Sequence, residues 1–151
     1  MSQHIINTRS PEETEQIAQA IASQLKGGEV IELASDLGGG KTTFTRGLVA
    51  GLGSDEAVAS PTFTINREYS KGRLYVHHFD FYRLDDAGTI ADELAEVIGD
   101  PTAVVVVEWA EVVQHVLPEK HVRIQIIPTD EFGRKLQFTY PEELDYLVKG
   151  L

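Results

Sequence analysis

The chain has 151 residues, of which 42% are hydrophobic, enough for the core of one ordinary domain. It contains no cysteine, which excludes a disulfide framework and a thiolate metal site. Its formal net charge of −11 disfavours direct binding to nucleic acid and is compatible with simple solubility or with a basic protein partner. The longest apolar run, Ala103–Val107, is too short to span a bilayer, and the start of the chain lacks a signal-peptide pattern, so we expect a soluble cytoplasmic protein.

The first part of the chain predicts a short strand followed by a helix. Residues 3–7 have the pattern of a strand. The segment Ser10-Pro11-Glu12-Glu13 is typical of a helix start, with an N-cap, a proline at the first helical position and a glutamate three residues after the cap. One apolar face then follows at helical spacing, and Gly27-Gly28 is expected to end the helix; the face consists of Ile17, Ile21 and Leu25.

Residues 31–45 form the most informative stretch of the chain. Val30, Ile31 and Leu33 suit a buried strand, and apolar residues recur at helical spacing after the glycines until Gly53, namely Phe44, Leu48, Val49 and Leu52. The intervening segment Gly38-Gly39-Gly40-Lys41-Thr42 is typical of a loop that binds phosphate through backbone N–H groups and a helix N-terminus.

In such a loop Lys41 reaches the outer phosphates and the hydroxyl of Thr42 is a ligand of Mg²⁺. The full pattern begins with a glycine five residues before Gly40, where this chain has Ser35. Serine is small, and it fails at that position only if the backbone there needs a positive φ.

The middle of the chain predicts two extended segments, a helix and a central strand. Residues 62–69 and 73–79 look extended, with Lys71-Gly72 as the turn between them. A helix is expected over residues 86–98 from its apolar spacing. Val104–Val107 is a run of four valines, as expected for a strand buried on both faces.

The last third predicts a hairpin and a helix. Apolar and polar residues alternate near 122–127 and 135–140, and Asp130–Gly133 joins the two strands, which we expect to pair at one side of the sheet. A final helix is expected from Pro141. These elements predict a single three-layer α/β domain over residues 1–151, a P-loop NTPase-like fold with a mixed central sheet.

Two acidic residues are candidates for the metal side of the phosphate loop. Glu108 directly follows the valine strand, and ligands of open α/β sheets bind at the carboxyl ends of strands. We predict that Glu108 faces Mg²⁺ directly or through water, although Asp is usual there and a solvated strand-end carboxylate is the alternative. Asp80 is predicted to orient the attacking water or to bind Mg²⁺ through water.

His78 and Arg83 belong to the same cluster as Asp80, in the segment HFDFYR. Residues two apart in a strand share a face, so His78 and Asp80 should point together, with a structural hydrogen bond between them as the alternative to a functional role. Arg83 is predicted to neutralise charge on the transferred phosphoryl group, with a surface ion pair as its alternative.

Two more features lie near these residues in the sequence. The segment Ser60-Pro61-Thr62-Phe63-Thr64 resembles a switch that senses the γ-phosphate, although such a loop also serves as a turn entering a strand. Trp109, the only tryptophan, directly follows Glu108. Its side chain is therefore expected beside the phosphate pocket, with a role as a core anchor as the alternative.

The segments SDLGGGKTT, SPTFT, HFDFYRL and VVVVEW occur in this order. Together with the SPEET helix start they resemble the TsaE (YjeE-type) family of bacterial tRNA threonylcarbamoyladenosine biosynthesis ATPases, over essentially the whole chain. The resemblance implies a protein that binds Mg-ATP and hydrolyses it weakly alone. It implies action on a partner transferase heterodimer that modifies adenosine 37 of tRNAs reading codons beginning with A. ATP turnover would reset that complex, and tRNA would be contacted only through the partners.

The resemblance also assigns roles to residues. It implies that the phosphates are held by Gly38, Gly39, Gly40, Lys41, Thr42 and Thr43. It implies that Thr42 and Glu108 bind Mg²⁺, and that Asp80 and Trp109 are required for function, with Lys41 as a third catalytic residue. Contacts to the base are expected from the helix start and the late hairpin, where the candidates are Ser10, Glu12 and Arg134.

Three other functional classes compete with this interpretation. A small-molecule kinase shares the phosphate loop, but such enzymes usually close an arginine-rich lid, and the 13 basic residues here are scattered. A GTPase switch usually reads guanine with an Asn-Lys-x-Asp motif, which is absent because the only asparagines are Asn7 and Asn66. A non-catalytic scaffold that binds ATP stays open.

Overall fold

The computed structural model describes residues 1–36, 38–59, 66–82 and 84–151. Over these residues it contains three α-helices, which are α1 (Pro11–Ala22), α2 (Lys41–Gly51) and α3 (Ile90–Val97). Two 3₁₀-helices cover Ala110–Val113 and Glu142–Leu147. The strands are β1 (Ser2–Thr8), β2 (Val30–Ala34), β3 (Asn66–Tyr69), β4 (Tyr75–Asp80), β5 (Ala103–Glu108), β6 (Val122–Pro128) and β7 (Arg134–Tyr140).

The strands form one mixed sheet in the order β1-β7-β6-β2-β5-β4-β3, which confirms the predicted fold class. The central strands β6, β2, β5 and β4 are parallel, and antiparallel strands flank them on both sides. The predicted β6–β7 hairpin is present beside β2. The register pairs Glu108 with both Leu33 and Asp80, so the carboxyl ends of β2, β5 and β4 meet at one edge of the sheet.

Helices cover the sheet on both faces, as expected for a three-layer domain. One core cluster joins α1 and α2 to the sheet through side chains such as Phe44, Leu48 and Ile31. The other joins α3 and the 3₁₀-helix after β5 to the opposite face through side chains such as Leu94, Val113 and Phe79. All six residues of β5 are buried, so the valine run is the predicted central strand.

Helix α1 ends earlier than the sequence pattern predicts. The last helical residue is Ala22, not a residue next to Gly27-Gly28, although Leu25 is still buried in the core. The guanidinium of Arg73 donates hydrogen bonds to the carbonyl oxygens of Ala22, at 2.8 Å, and Leu25, at 2.9 Å. A distant arginine therefore satisfies carbonyl groups at the end of the helix, which the local sequence does not reveal.

Three other element predictions need correction. The helix expected over 86–98 is shorter and begins at Ile90, because the side chain of Asp86 accepts a hydrogen bond from the N–H of Gly88 and holds a turn there. The final helix is a 3₁₀-helix. The predicted extended segment 73–79 corresponds to β4. The end of the other predicted segment, 62–69, corresponds to β3, and residues 62–65 lie outside the described ranges.

A partly buried ionic cluster connects β2 to the loop before β6. Nε2 of His121 lies 3.0 Å from Oε1 of Glu32, and its Nδ1 lies 2.6 Å from the carbonyl oxygen of Pro118. Both neighbours are acceptors, so both ring nitrogens carry hydrogen and His121 is an imidazolium ion. The hydrogen bond with Glu32 raises the pKa of His121. Burial opposes ionisation of Glu32, but the hydrogen bond from His121 and the charge of Arg123 hold its pKa below the ordinary value.

His121→Gln is expected to lower stability only on the acidic side of the raised His121 pKa. A raised folded-state pKa means that the contribution of His121 to the unfolding free energy is complete below the unfolded pKa and is lost as pH rises through the folded pKa. Urea unfolding between about pH 5 and about pH 9 should therefore show a difference between the two proteins that shrinks as pH rises. His115→Gln, at an exposed histidine, is the control. A difference that does not change with pH would contradict the ionic assignment.

Candidate nucleotide and metal site

The glycine-rich loop connects β2 to α2 at the edge of the sheet where the parallel strands end. Gly38 and Gly40 have φ values of 78° and 111°, a region that favours glycine, so the conformation of the loop depends on these two residues. An open cavity of about 290 Å³ lies over the loop. It is lined by Gly38, Gly39, Gly40, Lys41, Thr42, Thr43, Asp80, Glu108 and Trp109.

Lys41 is held inside the loop. Its side chain is 6% exposed, and Nζ donates hydrogen bonds to Oγ of Ser35 at 3.0 Å and to the carbonyl oxygens of Ser35 and Asp36, both at 3.3 Å. The same ammonium group lies 4.8 Å from the centre of the Trp109 ring, in cation–π contact. The positive charge therefore sits at the wall of the cavity.

Ser35 fits at the first position of the loop. Among the described non-glycine residues only Trp109 has a positive φ, so the backbone of Ser35 carries no strain that glycine would relieve. Its hydroxyl accepts the hydrogen bond from Lys41 and donates one to the carbonyl oxygen of Asp36 at 2.8 Å. A Cβ atom on Gly39 would come within 2.4 Å of this hydroxyl oxygen, so the two ends of the loop touch.

Glu108 is not the solvated strand-end carboxylate that was the alternative interpretation. It is 2% exposed, lines the cavity, and its Oε2 is hydrogen-bonded to Nε2 of His78, which is fully buried. The possible structural hydrogen bond between His78 and Asp80 is therefore replaced by one between His78 and Glu108. The strand register explains this hydrogen bond. β4 and β5 are parallel and pair Asp80 with Glu108, so His78, two residues before Asp80, lies on the same face of the sheet beside Glu108.

Asp80 lines the same cavity as Glu108. Its Oδ1 accepts a hydrogen bond from the N–H of Tyr82 at 2.9 Å, which turns the chain directly after β4. His78 and Asp80 are two residues apart in β4; His78 is hydrogen-bonded to Glu108, and Asp80 is the register partner of Glu108. The sequence thus places a carboxylate at the end of each of two neighbouring strands.

Trp109 adopts an unusual backbone conformation next to the cavity. Its φ and ψ are 55° and 53°, in the left-handed region that a bulky side chain rarely adopts. The ring contacts Lys41 on the cavity side and Tyr82, at 5.0 Å between ring centres. Such strain persists only where the surroundings hold it, and it is concentrated at functional sites. Trp109 thus lies beside the cavity over the glycine loop, and its functional role stays a prediction.

A second crevice lies between the start of α1, the glycine loop and the β6–β7 turn. It is lined by Pro11, Thr14, Gly40, Thr43, Phe132 and Arg134. Nε of Arg134 donates to the carbonyl oxygen of Gly39 at 2.9 Å, so the hairpin is fastened to the loop. Phe132 is 56% exposed at the tip of the turn. Sequence reasoning missed Phe132, and its only signal is an aromatic residue in an otherwise polar turn.

Two of the three residues expected to contact the base do not line this crevice. Oγ of Ser10 accepts a hydrogen bond from the N–H of Glu13 and caps α1, and the side chain of Glu12 is exposed. Only Arg134 is brought to the loop. The segment Ser60–Thr64 and Arg83, for which switch and charge-neutralising roles are predicted, lie outside the described residues.

The residues that face the cavity suit magnesium. In the described part of the chain, no three His, Cys, Asp or Glu side chains cluster as a protein-only metal site. Magnesium bound with a nucleotide needs no such cluster, because phosphates and water supply most of its ligands. The hydroxyl of Thr42 and the carboxylate of Glu108 line one cavity and offer the oxygen ligands that Mg²⁺ prefers.

None of the helices in the described ranges combines the length and apolar character needed to cross a membrane.

The mixed sheet and the glycine loop before α2 define a P-loop nucleoside-triphosphatase-like protein. The sequence model of the family described as "Threonylcarbamoyl adenosine biosynthesis protein TsaE" matches residues 8–136. The chain therefore belongs to the TsaE family, which confirms the resemblance inferred from its motifs.

Relatives and a solved structure agree with this assignment. The tRNA threonylcarbamoyladenosine biosynthesis protein TsaE of Bacillus subtilis is 41% identical over 132 residues, which cover 87% of this chain and 82% of that protein. The protein of the same name from Treponema pallidum is 39% identical over 119 residues, covering 79% and 87%. The crystal structure of YdiB from Bacillus subtilis matches with a TM-score of 0.80 at 35% identity, covering 97% of this chain and 92% of that one.

Proposed function

We propose that this protein binds Mg-ATP at the glycine loop and hydrolyses it to ADP and phosphate. We further propose that it is an accessory ATPase of threonylcarbamoyl modification at adenosine 37 of tRNAs that read codons beginning with A. One observation carries the ATPase proposal: a lysine, a helix-start threonine and two strand-end carboxylates meet around a single cavity. These are Lys41, Thr42, Asp80 and Glu108.

The loop would bind the phosphates by charge and by backbone hydrogen bonds. Gly38 and Gly40 provide the conformation in which successive N–H groups turn toward an anion, and the N-terminus of α2 adds a favourable dipole. Lys41 already lies at the wall of the cavity and carries the positive charge that the outer phosphates require. A bound phosphate would give the ammonium group of Lys41 a charged acceptor, in addition to the neutral carbonyl oxygens to which it already donates.

The metal would be held between α2 and β5. Thr42 and Glu108 are the residues that would bind it, directly or through water. Mg²⁺ held by these residues would supply positive charge that stabilises the outer phosphates of the nucleotide. Asp80, on the next strand, would orient the attacking water, since its carboxylate belongs to a residue that lines the same cavity.

We place the adenine ring over Phe132 at the mouth of the crevice beside the loop, since the crevice itself, of about 20 Å³, is too small to enclose a base. The exposed ring of Phe132 offers a stacking surface, and the guanidinium of Arg134 lies against the loop. Aromatic rings at an open site gain contact area when a flat base covers them. Arg134 links the hairpin that carries Phe132 to the residues that would bind phosphate.

The role in tRNA modification rests on the family. The relatives described above are named for threonylcarbamoyladenosine biosynthesis, and we extend that pathway to this chain. The net charge of −11 argues against direct contact with tRNA, so we propose that the chain acts through a transferase heterodimer that binds the tRNA. Turnover of ATP would then reset that complex between cycles.

Multiple-turnover phosphate release, measured with and without the transferase heterodimer, tests the proposal. We expect slow release by the protein alone and faster release with the partners, exceeding one phosphate per protein, with the heterodimer alone as the control. ATP binding without turnover in the presence of the heterodimer would overturn hydrolysis in favour of a scaffold that only binds ATP. Transfer of phosphate to a small-molecule acceptor instead of water would identify a kinase.

A further inference from the structure

We propose that His78 is a positioning residue for the metal site: it fixes the carboxylate of Glu108 so that one oxygen is held in the core and the other is presented to Mg²⁺. The inference rests on the proposed function, since it assumes that Glu108 faces the metal. His78 is buried, and it has no other role in phosphate binding or in the proposed hydrolysis.

The sheet brings the two side chains together from neighbouring strands. β4 and β5 are parallel, and the register pairs His78 with Val106 and Asp80 with Glu108. His78 lies two residues before Asp80, on the same face of β4, and its Nε2 reaches Oε2 of Glu108. Glu108 also lines the cavity over the loop, so the bond to His78 leaves Oε1 for the cavity.

Burial gives this hydrogen bond its importance. His78 is 0% exposed and Glu108 is 2% exposed, so bulk water does not compete for the hydrogen bond between them. A buried carboxylate oxygen without a hydrogen bond is strongly disfavoured. The hydrogen bond from His78 therefore satisfies Oε2 of Glu108 and restricts the rotation of the carboxylate.

The state of the other ring nitrogen of His78 distinguishes a positioning role from ordinary core packing. Nδ1 of His78 is buried and has no hydrogen-bond partner among the described residues. Buried polar atoms are almost always paired, and an unpaired one needs an explanation. An apolar side chain would remove this cost if the position served packing alone. Among the described residues only Nε2 meets an acceptor, so the hydrogen bond to Glu108 is the polar contact that this ring makes.

Carboxylates and histidines that bind metals are commonly held by such outer hydrogen bonds, and loss of the outer partner typically weakens metal binding about 10- to 100-fold. The same effect is expected here. His78→Leu removes the donor at similar size, whereas His78→Gln places an amide N–H near the position of Nε2. We predict that His78→Leu needs a higher Mg²⁺ concentration to bind nucleotide than the wild type does. His78→Gln should need a concentration close to that of the wild type.

The experiment measures binding, not activity. A non-hydrolysable ATP analogue is titrated by calorimetry at a series of Mg²⁺ concentrations and in EDTA. Trp109, the only tryptophan, provides a fluorescence readout beside the cavity. We expect His78→Leu to raise the Mg²⁺ concentration for half-maximal binding about tenfold or more, with binding in EDTA unchanged. His77→Leu, at the neighbouring histidine whose partner is Glu68, is the control and should behave like the wild type.

Each outcome has a defined meaning. An unchanged magnesium midpoint in His78→Leu, or equal weakening in His78→Gln, would overturn the positioning role. Should His78→Leu fail to fold, His78→Gln and His78→Asn make the same comparison, because the shorter asparagine does not reach Glu108. Glu108→Gln tests the assumption separately: if it leaves the midpoint unchanged, the metal role of Glu108 fails, whatever His78 does.

Discussion

Lys41→Ala is expected to abolish tight ATP binding. The substitution removes the buried ammonium group at the cavity wall, and hydrogen bonds to charged groups contribute about 1.5–3 kcal/mol each. Loss of such contacts to the phosphates therefore weakens binding by about a hundredfold or more. Isothermal titration calorimetry with ATP and Mg²⁺ measures the change directly.

Two further variants make that result specific. Lys41→Met keeps most of the side-chain volume and the contact with Trp109, so a similar loss of affinity would exclude a collapse of the loop as the cause. Lys71→Ala removes an exposed lysine in the turn before β4 and should leave the affinity unchanged. Unaltered ATP affinity in both Lys41 variants would contradict the assignment of the glycine loop as the phosphate site.

Asp80→Asn is expected to lower hydrolysis by about 10²- to 10⁴-fold, the range typical of a lost acid–base or water-orienting group. Nucleotide binding should change only slightly. Asparagine keeps an oxygen that can accept the hydrogen bond from the N–H of Tyr82, so the turn after β4 is preserved. Partner-stimulated phosphate release and calorimetric affinity, measured on the same preparation, separate the two effects.

Asp86→Asn is a closely matched control. Its carboxylate accepts a hydrogen bond from the N–H of Gly88, two residues on, in the same type of turn, but it does not line the cavity. We expect normal hydrolysis in this variant. Normal partner-stimulated turnover in Asp80→Asn would mean that Asp80 serves only the turn and would leave the water-orienting role without a candidate on β4.

Much of the local structure could be predicted because short-range physics decides it. The proline and acidic residues at Pro11–Glu13 start a helix, and Gly38 and Gly40 adopt positive φ between a strand and a helix. The valine run is a strand buried on both faces. The ends of the elements were predicted less well. Arg73 binds carbonyl groups at the end of α1, and a turn held by Asp86 delays the start of α3.

Several residues that line the cavity over the glycine loop were predicted from the sequence, but their contacts were not. Asp80, Glu108 and Trp109 were chosen because each lies at or just after the end of a strand, and parallel strands end together. The bond between His78 and Glu108 was not foreseen, since strand order and register choose the partner of a side chain. Phe132 was not singled out, because its place beside the glycine loop depends on where the β6–β7 turn lies in the folded protein.

The amino-acid sequence alone therefore determined the glycine loop, the position of its lysine and threonine, and the strand ends that carry the carboxylates. These depend on backbone preferences and periodicity within a few residues. Tertiary structure alone decided that Arg134 fastens a hairpin to Gly39 across 95 residues, that Trp109 takes a left-handed conformation against Lys41, and that His78 holds Glu108. Those contacts exist only once the sheet has assembled, because burial between strands far apart in sequence selects each partner.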